Sequence, residues 1–364
     1  MDTLELLIQL IRIAFGGGKR FSLPENVDWP ALIQMAMSNG LDAIAFDGIQ
    51  ALYERQADLS EDLDTSLGET KFDWLGLTLQ AEQDYESYRL KLRDLASFWG
   101  KAGIRMLVLK GYGLSLDYPI PSHRPTGDID VYLYGRGEEG DKLIKSAFGS
   151  KIEQNNDRHS VFQYKGLSIE NHARFLDEVG HRSLRNIEQF LEEEAHKASV
   201  VTVDGVEISV PTPMMNALFL PCHMTTHFVF GGMMLKQVVD WAVFVGKHGT
   251  YVDWDKVRQL AEDAGRFDLF RAFNGIVVDH LGVSEACLPD WGRDKTLEER
   301  IWMDTIQPRK NPHSRTLWDR LSDYFSLRWK YRLAYKESFF LNFFHRGWAS
   351  FRGRHLPHSK SVWE

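Results

Sequence analysis

The chain is poor in cysteine, in long apolar runs and in positive charge, and each shortage excludes something. Two cysteines in 364 residues, Cys222 and Cys287, are too few for a disulfide framework or a cysteine-based zinc site. They read as reduced, packed thiols, and with them a cytoplasmic location is expected. No apolar stretch approaches the ~18–20 residues of a membrane span; Val238–Val245 is apolar but short and interrupted by Asp240. The N-terminus begins acidic, whereas a secretory leader begins basic. The formal net charge is −8, which argues against bulk nucleic-acid binding but leaves room for a local basic site. No internal repeat or low-complexity tract occurs.

What is present is core material. Apolar residues make up 43% and aromatics 12% of the chain, enough for two or three packed units. Residues 1–101 read as an N-terminal helical region. Asp28-Trp29-Pro30 opens one helix with Asp28 as its cap, and Asn39-Gly40 closes it. Asp42 is expected to cap the next, over Ala43 to Glu54. Gln56 to Thr65 is polar and reads as loop. A long helix from about Phe72 to Lys101 keeps Tyr88, Leu92, Leu95 and Phe98 on one face.

Residues 102–210 change pattern. Arg105–Leu109 is a short buried strand, and Gly111 and Gly113 begin a helical turn. Asp128–Tyr134 alternates Ile129, Val131 and Leu133 with Asp128, Asp130 and Tyr132, so one face is core and the other is a site. A helix is expected over Glu138–Phe148. Lys165-Gly166 and Asp204-Gly205 each sit between strand-like runs, as hairpin turns do. From Pro213 the chain reads as helical, giving a third region, 211–364. The fold class is therefore α+β, a small mixed-sheet core flanked by helical regions.

Within that core, two carboxylates at i and i+2 of a strand share a face, with Cα atoms about 7 Å apart. Asp128 and Asp130 can thus share bound metal. The Lys110-Gly111 turn between strand and helix can present backbone N–H groups to a phosphate. Such a pairing suits Mg²⁺-assisted nucleotidyl transfer. Gly111 is either a plain turn or a phosphate approach. Lys110 either reaches a phosphate or lies on the surface.

Leu109-Lys110-Gly111 followed by Arg124-Pro125-Thr126-Gly127-Asp128-Ile129-Asp130 resembles the signature of the DNA polymerase β-like nucleotidyltransferases, and in particular the bacterial uncharacterised nucleotidyltransferase family. Ile169-Glu170-Asn171-His172 resembles that family's third-carboxylate strand. His223-x-x-x-His227 and Leu235-Lys236-x-x-x-Asp240 fall where it carries helical motifs. The resemblance spans roughly residues 30–280. It implies a nucleotidyltransferase-like core binding a nucleoside triphosphate and two divalent ions, Mg²⁺ or Mn²⁺, held by Asp128, Asp130 and Glu170. Glu170 would also take the proton of a hydroxyl acceptor. In the superfamily a small residue usually follows the turn glycine; here Tyr112 does, with Gly113 and Ser115 as substitutes.

Other residues keep two readings each. Arg124 binds triphosphate or pairs with Asp128. His172 shares a face with Glu170 and positions an acceptor, or is simply hydrogen-bonded. His223 and His227 have an i,i+4 spacing that zinc can use, but without a third ligand they line a pocket or pack. Lys236 contacts phosphate or pairs with Asp240 along its helix. The segment 315–364 carries ten Lys/Arg against four Asp/Glu and many aromatics, a packing face or a surface for single-stranded nucleic acid, membrane or another partner. The acceptor is a small molecule, protein or RNA. Two further readings stand beside the enzyme: a non-catalytic nucleotide- or partner-binding module on the same fold, and a toxin-like nucleotidyltransferase paired with an antitoxin.

Overall fold

The computed structural model describes residues 1–18, 21–56, 59–155, 158–176, 181–307 and 325–339. Helices α1 (Thr3–Ala14), α2 (Trp29–Asn39), α3 (Asp42–Arg55), α4 (Ser60–Leu67) and α5 (Thr70–Lys101) come first. Asp28 caps α2 by accepting from the Ala31 N–H at 3.0 Å, and Gly40 ends it at φ +66°, a conformation that costs glycine little. Asp42 does not cap α3; it is the first helical residue, and Leu41 precedes it without a side-chain cap. The expected loop over 56–65 is instead partly α4. Leu63 and Leu67, four apart, are buried there while Glu61 and Asp62 favour its N-terminus. The polar composition hid a two-point apolar anchor.

The sheet follows. Its strands are β1 (Leu107–Val108), β2 (Ile129–Tyr132), β3 (Glu153–Asn155), β4 (His159–Tyr164), β5 (Leu167–His172), β6 (Ser199–Val203) and β7 (Val206–Val210). They lie in the order β3-β4-β5-β2-β1-β7-β6. β2 runs antiparallel to β1 and parallel to β5, and β1 runs parallel to β7. Both hairpins form as the turn residues imply: Lys165 and Asp204 have φ +49° and +46°, each followed by a glycine near +80°. α6 (Tyr112–Ser115) and α7 (Gly137–Phe148) follow β1 and β2, and α8 (Arg185–Ala195) links β5 to β6. Neither α8 nor β3 is evident in the sequence pattern.

Strand periodicity divides the sheet. Ile129, Val131 and Ile169 face one core, with Tyr88, Leu92, Leu95 and Trp99 of α5 and Ile144 of α7. Leu107, Leu109 and Tyr132 face the other, larger core. That core also takes in the N-terminal helices and α9 (Pro213–Thr226), α10 (Leu235–His248), α11 (Trp254–Ala264), α12 (Phe267–Leu281), α13 (Lys295–Ile306) and α14 (Arg328–Ala334). The even-numbered side chains of β2 therefore point toward α9 and α10. Among the described residues, no helix is long and apolar enough to cross a membrane. Much of the basic-aromatic segment 315–364 lies outside the described residues; within it Tyr331 and Phe339 are buried and Trp329 packs against Arg300 at 3.7 Å.

The loop entering β2 is clamped by His123. Its Nδ1 lies 2.8 Å from Asp47 on α3 and its Nε2 3.0 Å from Glu82 on α5. Burial works against the charged imidazole, but the two carboxylates outweigh it and raise its pKa. A raised folded-state pKa means the clamp stabilises fully below the unfolded value of about 6.5 and is lost as pH rises through the folded value. We expect wild type to exceed His123→Phe by roughly 1–2 kcal/mol at pH 6, with the gap closing by pH 9. Urea denaturation at both values checks this; an unchanged gap would show that the clamp does not titrate.

Candidate active site

Asp130 and Glu170 sit opposite each other on the parallel pair β2–β5, and His172 lies two residues beyond Glu170. All three therefore share the face toward α9 and α10. Ligand atoms of Asp130, Glu170 and His172 lie within 4.8 Å of one another. His172 Nε2 is 3.0 Å from Asp130 Oδ1 and 3.6 Å from Glu170 Oε2. Asp130 is 3% exposed and His172 2%, whereas the Glu170 side chain is 28% exposed.

Asp128 does not join this group. β2 begins at Ile129, so Asp128 stands just before the paired strand and is exposed at the rim. Of the expected metal set Asp128, Asp130 and Glu170, the structure brings Asp130 and Glu170 together, with His172 beside them.

Lys110 stands two residues past the end of β1 and turns inward. Its ammonium lies 3.1 Å from Asp130 Oδ2 and 2.8 Å from His223 Nε2 on α9. It neither lies on the surface nor stands free in the cleft. An ammonium only donates, so His223 Nε2 accepts and its ring is neutral. Burial, with Lys110 alongside, holds the His223 pKa well below the usual value. The His227 ring lies beside it, centroids 4.5 Å apart and tilted by 46°. The pair therefore orders Lys110 and the helix, and among the described residues the histidines join no metal-like cluster.

The charges shift one another's protonation. Burial pushes the Asp130 pKa up, but Lys110 and His172 reverse this and hold it well below the carboxylate range. Burial likewise opposes ionised Glu170, and His172 outweighs it. His172 itself is raised: Asp130 and Glu170 overcome desolvation. Asp128, though exposed at its residue surface, has its carboxyl pKa raised by partial desolvation and then by the neighbouring Asp130 charge.

Arg124 does not pair with Asp128. It forks onto Asp240 of α10, Nε–Oδ1 2.9 Å and Nη2–Oδ2 3.0 Å, and Tyr118 donates to the same carboxylate at 2.6 Å. Asp240 is therefore committed, and the intrahelical pair with Lys236 does not form. Among the described residues no carboxylate lies within 4.0 Å of Lys236. Burial, then the Arg124 charge, lowers its pKa. Gly111 adopts φ +63°, and a Cβ there would meet the Tyr88 hydroxyl at 2.3 Å. Only glycine fits this turn. Gly113 packs against Val210, which a Cβ would meet at 3.0 Å. Ser115 is buried, donating to the Tyr112 carbonyl and sharing a hydrogen bond with Tyr85. Both face the core rather than the cleft. The Tyr112 ring is buried too, stacked on Tyr85 at 6.2 Å.

A family model of uncharacterised nucleotidyltransferases matches residues 25–280, more than half of the chain. The chain belongs to this family. No curated protein matches it. A solved structure, an antigenic nucleotidyltransferase-like protein from Paracoccidioides brasiliensis, is similar over 43% of this chain and 74% of its own, at 13% identity and a TM-score of 0.31.

In this nucleotidyltransferase family member the donor set can be tested against a divalent cation. Two carboxylates and an imidazole converge, with ligand atoms within 4.8 Å of one another. Oxygen and imidazole donors of this kind fit one divalent ion. Sequence reasoning missed two neighbours. His159 lies opposite His172 on β4, with its Nε2 3.8 Å from Glu170. Burial drives its pKa down to about 4. Arg158, beside it, adds positive potential at His172 and His223. The signal was available: a two-residue turn at Lys165-Gly166 fixes the register and puts residue 159 against 172. Glu188 of α8, buried, accepts the Phe175 and Leu176 N–H groups and fixes the chain as it leaves β5.

Proposed function

We propose that the protein is a divalent-metal-dependent nucleotidyltransferase of the DNA polymerase β-like superfamily, passing a nucleoside monophosphate from a triphosphate to a hydroxyl acceptor. The observation that carries this is the convergence of Asp130, Glu170 and His172 on one face of the sheet in a chain from a nucleotidyltransferase family. Asp130, Glu170 and His172 would hold the metal, with Asp128 at the rim. A bound divalent ion supplies charge stabilisation for the bridging and leaving oxygens.

The chain's own groups supply the rest. The acceptor oxygen attacks the α-phosphorus, the bond to pyrophosphate breaks, and the acceptor proton passes to Glu170, the ionised carboxylate with an open side. Lys236, a cation without a carboxylate partner, meets the triphosphate. Gly111 lets that backbone turn approach closely. The buried Tyr112 ring leaves the turn uncovered, which favours the catalytic reading over a non-catalytic module. Arg124 acts through Asp240, as a positioning residue for α10 and Lys236.

Purified protein with Mg²⁺ and each labelled NTP is expected to bind a nucleotide and, with a suitable acceptor, release pyrophosphate. Lys236→Ala should weaken nucleotide binding about 10-fold, the loss of one charge-assisted contact. Absence of binding to all four nucleotides would end this reading.

A further inference from the structure

Asp130 offers two oxygens, and the structure assigns them to different partners. Oδ1 faces His172 and the metal-like group; Oδ2 faces the Lys110 ammonium at 3.1 Å. A two-ion centre needs its shared carboxylate to serve one ion on each side. We propose that this site takes a single divalent cation and that the Lys110 ammonium fills the place of the second. The inference rests on the metal-dependent reading above and changes its ion count.

Three observations support it. First, the lysine is anchored from both ends of its contact. His223 Nε2 receives the ammonium at 2.8 Å opposite Asp130. His223 is held in turn within α9, near the His227 ring. Second, the lysine is enclosed: its side chain is only 19% exposed, set between Asp130 on β2 and His223 on α9. Third, the charges balance. Three carboxylates, one ammonium and one divalent ion are neutral together when His172 is a neutral ligand. A second ion would leave two surplus positive charges beside Lys236 before any nucleotide arrives. The donors agree: only Asp130, Glu170 and His172 form a metal-like group among the described residues, with none gathered around Asp130 Oδ2 besides Lys110.

The test is a Mn²⁺ titration of the full chain, with free ion read by electron paramagnetic resonance. Wild type is expected to hold one Mn²⁺ per chain. Lys110→Met should hold two, because removing the ammonium opens Oδ2; Lys110→Arg should stay at one. Thermal unfolding of each variant confirms a folded sample. Two ions in wild type, or one in folded Lys110→Met, would overturn the inference while leaving the metal-dependent reading intact. If Lys110→Met does not fold, the wild-type count and the arginine variant decide: two ions in either overturns the inference. No bound Mn²⁺ in wild type would overturn both.

Discussion

Asp130→Asn is expected to abolish nucleotidyl transfer, with kcat falling at least ~10³-fold, the scale seen when a preorganised charge in a catalytic site is removed. Asp130 belongs to every part of the site. It is opposite Glu170, bonded to His172 and paired with Lys110. The amide preserves shape and removes charge, so Lys110 and His172 lose their shared counter-ion. Divalent-ion binding should disappear along with activity, which separates this outcome from misfolding when circular dichroism is unchanged. Asp128→Asn should be milder, about 10–100-fold, because Asp128 is exposed and outside the converged group. A reversed order of the two variants, measured as kcat at saturating Mg²⁺, would mean that the acids work in a different arrangement from the one described.

Asp240→Ala should cost about 3–5 kcal/mol of stability, the usual effect of stranding one member of a buried ion pair. Arg124 is 11% exposed and Asp240 17%. The alanine variant leaves a forked guanidinium without its carboxylate and the Tyr118 hydroxyl without its acceptor. Replacing both partners with apolar residues, as in Arg124→Met/Asp240→Leu, should recover much of the loss, since an apolar pair of similar volume strands no charge. Urea denaturation of the three proteins measures this. A loss under ~1 kcal/mol for Asp240→Ala would show that the pair is screened like a surface bridge.

How much of this was legible in the sequence follows from the range of each signal. The hairpins and the acid-bearing strand were readable because strand period and two-residue turns act over a few residues. The family resemblance found Glu170, and spacing placed His172 on its face. The links that complete the site are long-range. Lys110 meets His223 across 113 residues and Arg124 meets Asp240 across 116. No local periodicity encodes such meetings, so Arg124 seemed bound for Asp128 and Lys236 for Asp240. α4 escaped because its two leucines sit in an acidic stretch, where composition outvotes spacing. His159 is not evident along its own strand because its link to the site runs across strands, opposite His172.

β2 is paired on both sides, and the Leu109 amide donates to the Asp130 carbonyl at 3.0 Å. Asp128 lies one residue outside that ladder. The two acids of one short motif thus have unequal mechanical standing. Asp130 is held by strand partners on both of its edges. Under the proposed function, differences in the size of ion or substrate would be taken up at the rim, and mutations in the Pro125–Gly127 approach should alter which of them fit while leaving the floor unchanged.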